Sequence, residues 1–146
     1  MDALLIETEH FLTAFYAIID IDTFTCRYCS AGHPPQMLVR ASGGVELLAT
    51  TGFFVGMFEG AEYEEAQIQL EPGDRLALYT DGLIETLDAH GRQFGRENLA
   101  RLLTEYGQLS VQDVTNSILS DLIVYMAEPS FQDDVTVLIA EVMESL

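Results

Sequence analysis

The chain contains no lysine: its basic residues are six arginines, set against 24 acidic residues for a formal charge of −18 over 146 residues. The missing lysine excludes a phosphate-binding P-loop lysine, a Schiff-base mechanism and a serine–lysine dyad. A field this negative repels nucleic-acid backbones and anionic lipid, so no nucleic acid and no membrane is expected as a partner. No apolar run approaches the roughly 20 residues that span a bilayer, and no basic stretch leads into an apolar one at the N-terminus. A cytoplasmic location is the default expectation. Repeats, low-complexity tracts and linkers are also absent. With 49% hydrophobic residues the chain is long enough to bury one core, and a single domain over residues 1–146 is expected.

Cysteine is scarce. The two that occur, Cys26 and Cys29, form a Cys-x-x-Cys string with His33 nearby. Redox and zinc readings both fail on physical grounds. Residues three apart on a strand point to opposite faces, a redox pair needs a helix N-terminus, and zinc needs ligands that the sequence supplies poorly. Buried, reduced thiols are the simpler reading.

Phe15–Asp20, Phe24–Cys29 and Met37–Arg40 read as strands separated by Asp-rich, Gly-His-Pro-Pro and Ser-Gly-Gly turns, the pattern of an antiparallel meander. Val45–Leu48 adds a short strand, and Ala66–Leu70 alternates apolar with polar residues as a half-exposed strand does. After the turn Glu71-Pro72-Gly73-Asp74, the run Arg75–Thr80 is nearly all apolar and fits a central, doubly buried strand. A helix over Glu97–Tyr106 carries Leu99, Leu102 and Leu103 on one side and stops at Gly107. A second helix opens on the capping-box string Ser110-Val111-Gln112-Asp113. It repeats Val111, Val114, Ile118, Leu122 and Tyr125 at helical spacing until Pro129.

Two acidic turns carry the chemistry. Tyr79-Thr80-Asp81-Gly82 ends the central strand, and Gln132-Asp133-Asp134-Val135-Thr136 opens the strand Val135–Ile139. Two adjacent strands would present Asp81 and Asp133 at one sheet edge, and such oxygen ligands suit Mg²⁺ or Mn²⁺. The plainer alternative is a pair of turns, because Gly permits positive φ and Asp bonds its own backbone.

The order of motifs resembles the SpoIIE-type protein phosphatases of the PPM, or PP2C-like, superfamily. The resemblance rests on Phe11-Leu12-Thr13-Ala14-Phe15-Tyr16, on Ser30-Ala31-Gly32-His33-Pro34-Pro35 and on Leu70-Glu71-Pro72-Gly73-Asp74. It continues through Leu78-Tyr79-Thr80-Asp81-Gly82-Leu83-Ile84-Glu85, then Phe94-Gly95 and Gln132-Asp133-Asp134-Val135-Thr136. It implies an α+β fold, an α-β-β-α sandwich of mainly antiparallel sheets flanked by helices, with a binuclear Mn²⁺ or Mg²⁺ centre. Asp81 and Asp133 match the family's metal-binding aspartates, with Gly82, Glu85 and Asp134 adjacent to the metal and no catalytic residue beyond the ligands. The implied activity is hydrolysis of phosphoserine or phosphothreonine on a STAS-domain anti-sigma factor antagonist, as a step in sigma-factor regulation.

The sequence departs from the family pattern in one respect. Family domains begin with a segment bearing Asp-x-x-Gly-His-Gly, which supplies further ligands, and the string Gly-His-Gly is absent here. Ala31-Gly32-His33 is a different element and does not replace it. The chain is therefore read as an N-terminally incomplete domain with about half of a binuclear site. Its uncovered strand edges favour a homodimer, and an upstream sensor domain is a further expected partner. The alternative function is a non-catalytic module that binds a STAS protein or a sensor domain; a generic acidic interaction domain is a third. Glu85 has two readings, hydrogen-bonding a metal-bound water or simple solvation. His33 is read as fixing a tight turn. Arg92 and Arg96 are candidates to meet a phosphate, against the commoner role of pairing with surface carboxylates.

Overall fold

The computed structural model describes residues 11–127 and 131–143. Their backbone divides into two compact units. One comprises residues 11–36 and 47–71, and the other residues 37–46, 72–127 and 131–143.

The first unit is built on a three-stranded sheet in the order β1-β2-β5, with β1 at Ala14–Asp20, β2 at Thr25–Ala31 and β5 at Glu65–Gln69. Both pairings are antiparallel, with Tyr16 opposite Cys29 and Tyr28 opposite Ala66. The pleat sorts β2 by chemistry. Cys26, Tyr28 and Ser30 are buried, while Arg27 on the other face is exposed and forms a two-pronged ion pair with Glu65 at 2.9 and 2.8 Å. Cys26 and Cys29 accordingly fall on opposite faces, and both are free thiols. Cys26 is fully buried, which pushes its thiol pKa up, and Cys29 is half-buried.

The second unit carries a four-stranded sheet in the order β4-β3-β6-β7. Its strands are β3 at Gln36–Val39, β4 at Val45–Leu48, β6 at Arg75–Tyr79 and β7 at Val137–Glu141. β6 is an inner strand, antiparallel to both β3 and β7, as its apolar run predicts. The meander expectation needs correcting. β1 and β2 do form an antiparallel pair, but β2 continues onto β5, and β3 joins the other sheet. Alternation specifies which face a side chain occupies, not which strand lies beside it. The last strand also begins later than its apolar run suggests, because Val135 and Thr136 are spent on the turn that approaches β6.

Three helices belong to this unit: α1 at Asp81–Glu85, α2 at Gly95–Glu105 and α3 at Val111–Tyr125. The predicted stripes hold, with Leu99, Leu102 and Leu103 of α2 and Val114, Ile118 and Leu122 of α3 all buried against Met37, Ala77 and Tyr79 of the sheet. The Ser110 hydroxyl accepts the Asp113 N–H at 3.2 Å and so caps α3. Gly107 follows α2 without a left-handed conformation. Glycine fits there because an added Cβ would lie 3.1 Å from the Thr104 carbonyl. α3 ends at Tyr125; Pro129, the expected stop, lies outside the described residues. The mixed α/β composition with antiparallel sheets is the expected class. Among the described residues no helix is long and apolar enough to cross a membrane.

Candidate metal centre

The two acidic turns meet at the end of the β6–β7 ladder. Tyr79 lies opposite Val137, and one residue beyond it Thr80 stitches the strands together. The Thr80 N–H donates to the Thr136 carbonyl at 3.1 Å, its hydroxyl donates to the Asp134 carbonyl at 3.1 Å, and it accepts the Thr136 N–H at 2.9 Å. Thr80 is also the N-cap of α1, yet its side chain makes no cap bond, because that hydroxyl is already used on the neighbouring turn. Sequence reading missed this role; the only signal for it is a threonine immediately before Asp81.

Gly82 closes the junction from the other side. A Cβ placed on it would lie 2.5 Å from the Asp134 carbonyl oxygen and 3.4 Å from the Asp133 carbonyl carbon, so only a glycine lets the second turn come this near. Its φ is not positive, and the requirement is for space alone. The expected Asp-Gly turn is in fact the first turn of α1. Thr86, whose hydroxyl donates to the Gly82 carbonyl at 2.7 Å, follows the last helical residue.

This geometry brings the backbone of the Asp133-Asp134 turn against Gly82, one residue from Asp81. The half-buried Asp81 carboxylate accepts the N–H of Gly82 at 3.0 Å, and the exposed Asp133 carboxylate accepts the N–H of Asp134 at 2.7 Å. Asp134 instead offers its backbone carbonyl to Thr80. Glu85 is exposed and lines a cleft of about 180 Å³ with Gly82, Thr86, Leu87, Gln93, Gln132 and Asp133. A larger cleft of about 520 Å³ is lined by Leu119, Phe131, Gln132, Asp133, Asp134 and Val135. Asp133 therefore faces both clefts. Gln93 and Gln132, which sequence reading did not single out as site residues, line the smaller cleft with it.

In kind, these donors suit a hard cation: carboxylate and carbonyl oxygens with amide side chains around them. In number they fall short, since among the described residues no group of three or more His, Cys, Asp or Glu side chains is placed to hold a metal. The expected half-site fits such an ion in chemistry and leaves room for further ligands.

The two flagged arginines differ. Arg92 forms an ion pair with Asp88 at 2.7 Å, the commoner role. Asp88 also accepts the N–H groups of His90 and Arg92, and chiefly the Arg92 backbone bond holds its carboxyl down at about 2. Arg96 is exposed in the first turn of α2 and has no ion pair among the described residues. Its charge is felt by Tyr79, although burial outweighs it and pushes that phenol up to about 12. His33 sits apart in the first unit, where its Nδ1 lies 3.1 Å from the Thr13 hydroxyl and its carbonyl accepts the Ser30 hydroxyl at 3.0 Å. That arrangement suits the turn-fixing role.

Comparison with known proteins gives a consistent answer. The sequence profile of the family described as Stage II sporulation protein E (SpoIIE) matches residues 1–143. The phosphoserine phosphatase RsbP of Bacillus subtilis is 33% identical over 117 residues, covering 80% of this chain and 27% of RsbP. The crystal structure of the RsbU and RsbW domains of Rv1364c from Mycobacterium tuberculosis superposes with a TM-score of 0.78 at 26% identity. That match covers 92% of this chain and 38% of the other. The Mn-presoaked phosphatase domain of SpoIIE from Bacillus subtilis gives a TM-score of 0.72 at 19% identity, covering 92% and 58%, and shows the shared fold. The chain spans 22%, 27% and 40% of the length of three curated relatives it matches.

Proposed function

The chain belongs to the SpoIIE family of phosphatase domains, and from that premise we propose that it supplies the Asp-turn half of a metal-dependent phosphoserine and phosphothreonine phosphatase site. The observation that supports this reading is the close approach of the Asp81-Gly82 and Asp133-Asp134 turns, stitched by Thr80 and made possible by Gly82.

Asp81 and Asp133 would hold the metal, two Mn²⁺ or Mg²⁺ ions in a complete site. Further ligands would come from the family's Asp-x-x-Gly-His-Gly segment, a string this sequence lacks. When bound, the ions supply Lewis acidity that activates water and neutralises charge on the phosphoryl oxygens. The chain's own residues do the positioning. Thr80 fixes the spacing of the two turns, Gln93 and Gln132 offer amide donors along the smaller cleft, and Glu85 stands at its rim as a hydrogen-bond acceptor. Arg96 is the arginine left to meet a phosphate, Arg92 being held by Asp88. Manganese is supported by the Mn-presoaked state of a structural neighbour.

The proposed substrate is a phosphorylated STAS-domain antagonist of an anti-sigma factor, handled in the cytoplasm under the control of an upstream sensor domain. Support comes from the name of RsbP and from the pairing of RsbU and RsbW domains in the mycobacterial neighbour. Self-association is proposed through β1, an edge strand on which Tyr16, Ile18 and Ile19 are exposed, with Ile21 exposed just beyond it. A second reading, a non-catalytic module that binds a STAS protein or a sensor, is favoured by the lack of a three-carboxylate cluster among the described residues.

The deciding experiment is Mn²⁺-dependent phosphate release from a phosphoserine peptide by this chain, beside Asp81→Ala and Asp133→Ala. Release that both substitutions abolish establishes the site. Release that survives either one removes that aspartate from it. Mn²⁺ binding that depends on Asp81 but brings no release supports the non-catalytic module.

A further inference from the structure

Residues 50–55 of the first unit are tied to neighbouring backbone, and Glu64 closes the loop back onto Thr51. The Thr50 hydroxyl accepts the Ser30 N–H at 2.7 Å, Gly32 donates to the Gly52 carbonyl at 3.1 Å, and Leu12 and Val55 exchange backbone hydrogen bonds at 3.1 and 2.9 Å. Glu64 donates its N–H to the Thr51 carbonyl at 3.2 Å and takes the Thr51 N–H on its carboxylate at 3.2 Å. Phe54 pins the middle. Its ring lies over Gly32, where a Cβ would come within 2.4 Å of it, and packs against Phe11 at 5.1 Å between centroids.

The side chains next to this anchor do the opposite. Phe53 is 59% exposed and Met57 and Phe58 are each 49% exposed. Phe53 and Phe58 meet edge to face at 5.2 Å, so the two rings form one knob. A loop anchored at both ends, with large apolar side chains left in water, has met part of the ordering cost of binding. Its electrostatic surroundings have one sign. Within the first unit, residues 47–71 hold five carboxylates and no basic residue, and Glu59, next to Phe58 in the chain, and Glu62 are exposed.

We propose that Phe53, Met57 and Phe58 form a docking surface for an apolar segment of a partner protein that carries arginine or lysine. Charge complementarity selects this occupant. A second copy has little cationic charge to offer this surface, since five of its six arginines, at positions 27, 40, 75, 92 and 101, are already in ion pairs with carboxylates of the same chain. Anionic lipid is repelled by the net charge of −18. A basic partner side chain gains twice, from the faces of the two rings and from the exposed glutamates of the same loop.

The probe is a fluorescein-labelled 18-residue helical peptide with leucines on one face and arginines on the other. It is titrated with the full chain in physiological salt and read by anisotropy. The joint substitution Phe53→Ser and Phe58→Ser is expected to weaken binding by about tenfold or more, and Glu59→Gln with Glu62→Gln by about threefold. Ile123→Ser with Val124→Ser, an exposed apolar pair on α3, serves as the control and leaves binding unchanged. Absence of binding by the unsubstituted chain overturns the proposal. So does equal binding by the Phe53/Phe58 variant, or equal binding of a peptide whose leucines are replaced by serine, since either makes net charge the whole cause. A dimer in sedimentation that the Phe53/Phe58 substitution converts to monomer also overturns it, by assigning the surface to a second copy.

Discussion

β6 is flanked by two aspartates, Asp74 immediately before it and Asp81 two residues after it, and they are treated in opposite ways. Asp74, just before the strand, is fully buried; its carboxylate meets the Arg40 guanidinium at 2.8 Å and accepts the Ala41 N–H at 2.9 Å. The backbone there is locked as well, with Gly73 donating to the Val142 carbonyl at 2.7 Å and Val142 donating to that of Asp74 at 2.9 Å. Asp81, just after the strand, is half-buried, and among the described residues its carboxylate accepts only the N–H of Gly82. A buried carboxylate with a guanidinium and an amide at hydrogen-bond distance belongs to the fold. One left on a junction with lone pairs to spare is available to a ligand.

The largest effect is expected where that contrast is broken at the structural end. Asp74→Ala removes the acceptor of the Ala41 N–H and leaves Arg40, only 18% exposed, with Glu46 as its carboxylate partner. The expected cost is about 3 kcal/mol of unfolding free energy, at the low end of the range for a broken buried pair because Glu46 remains. Asp81→Ala should cost no more than about 0.5 kcal/mol, as for a surface residue. Urea unfolding of the two variants side by side tests this. Equal losses would mean that Asp81 is a structural aspartate too, and would weaken its reading as a ligand.

Gly82→Ala sharpens the comparison by disturbing the junction without touching a carboxylate. The new methyl group would lie 2.5 Å from the Asp134 carbonyl, a backbone atom with no rotamer to escape into, so the 133–136 turn has to move. A loss of about 1 to 3 kcal/mol is expected, as for overpacking elsewhere. Any Mn²⁺-induced rise in melting temperature should vanish with it. A stable Gly82→Ala chain that still responds to Mn²⁺ would show that the close approach of the two turns is incidental.

Much of this contrast was legible in the sequence. The apolar runs beside Asp81 and Asp133 pointed to two adjacent strands, and β6 and β7 are indeed neighbours. The stripes of α2 and α3 were readable because burial on a helix follows a fixed period, and Ser110 because a capping box is local. What escaped depends on residues distant in the chain. That β3 pairs with β6 rather than β2, that Thr80 reaches across to the 134–136 turn and that Gly82 stands against Asp134 are relations of tertiary packing. An Asp-Gly pair looks the same in sequence whether or not another backbone lies against the glycine.

The smallest expected effect concerns Asp88, an aspartate intermediate between the two extremes. Its side chain is 10% exposed like a structural one, but its cation partner Arg92 is 72% exposed. Its carboxyl is held at about 2, below an ordinary aspartate at 3.8, first by the Arg92 backbone N–H and then by the Arg92 side chain and the His90 N–H. A folded-state pKa below the unfolded one means that the unfolded chain takes up its proton first as pH falls. Stability from Asp88 is therefore complete above about pH 5 and declines as pH drops through 4 towards 2. Asp88→Asn lacks that titration, so its urea midpoint should fall less steeply than that of the unsubstituted chain between pH 4 and 2. The gap between the two should narrow as pH falls, and parallel curves would mean that the Asp88 interactions persist in the unfolded chain.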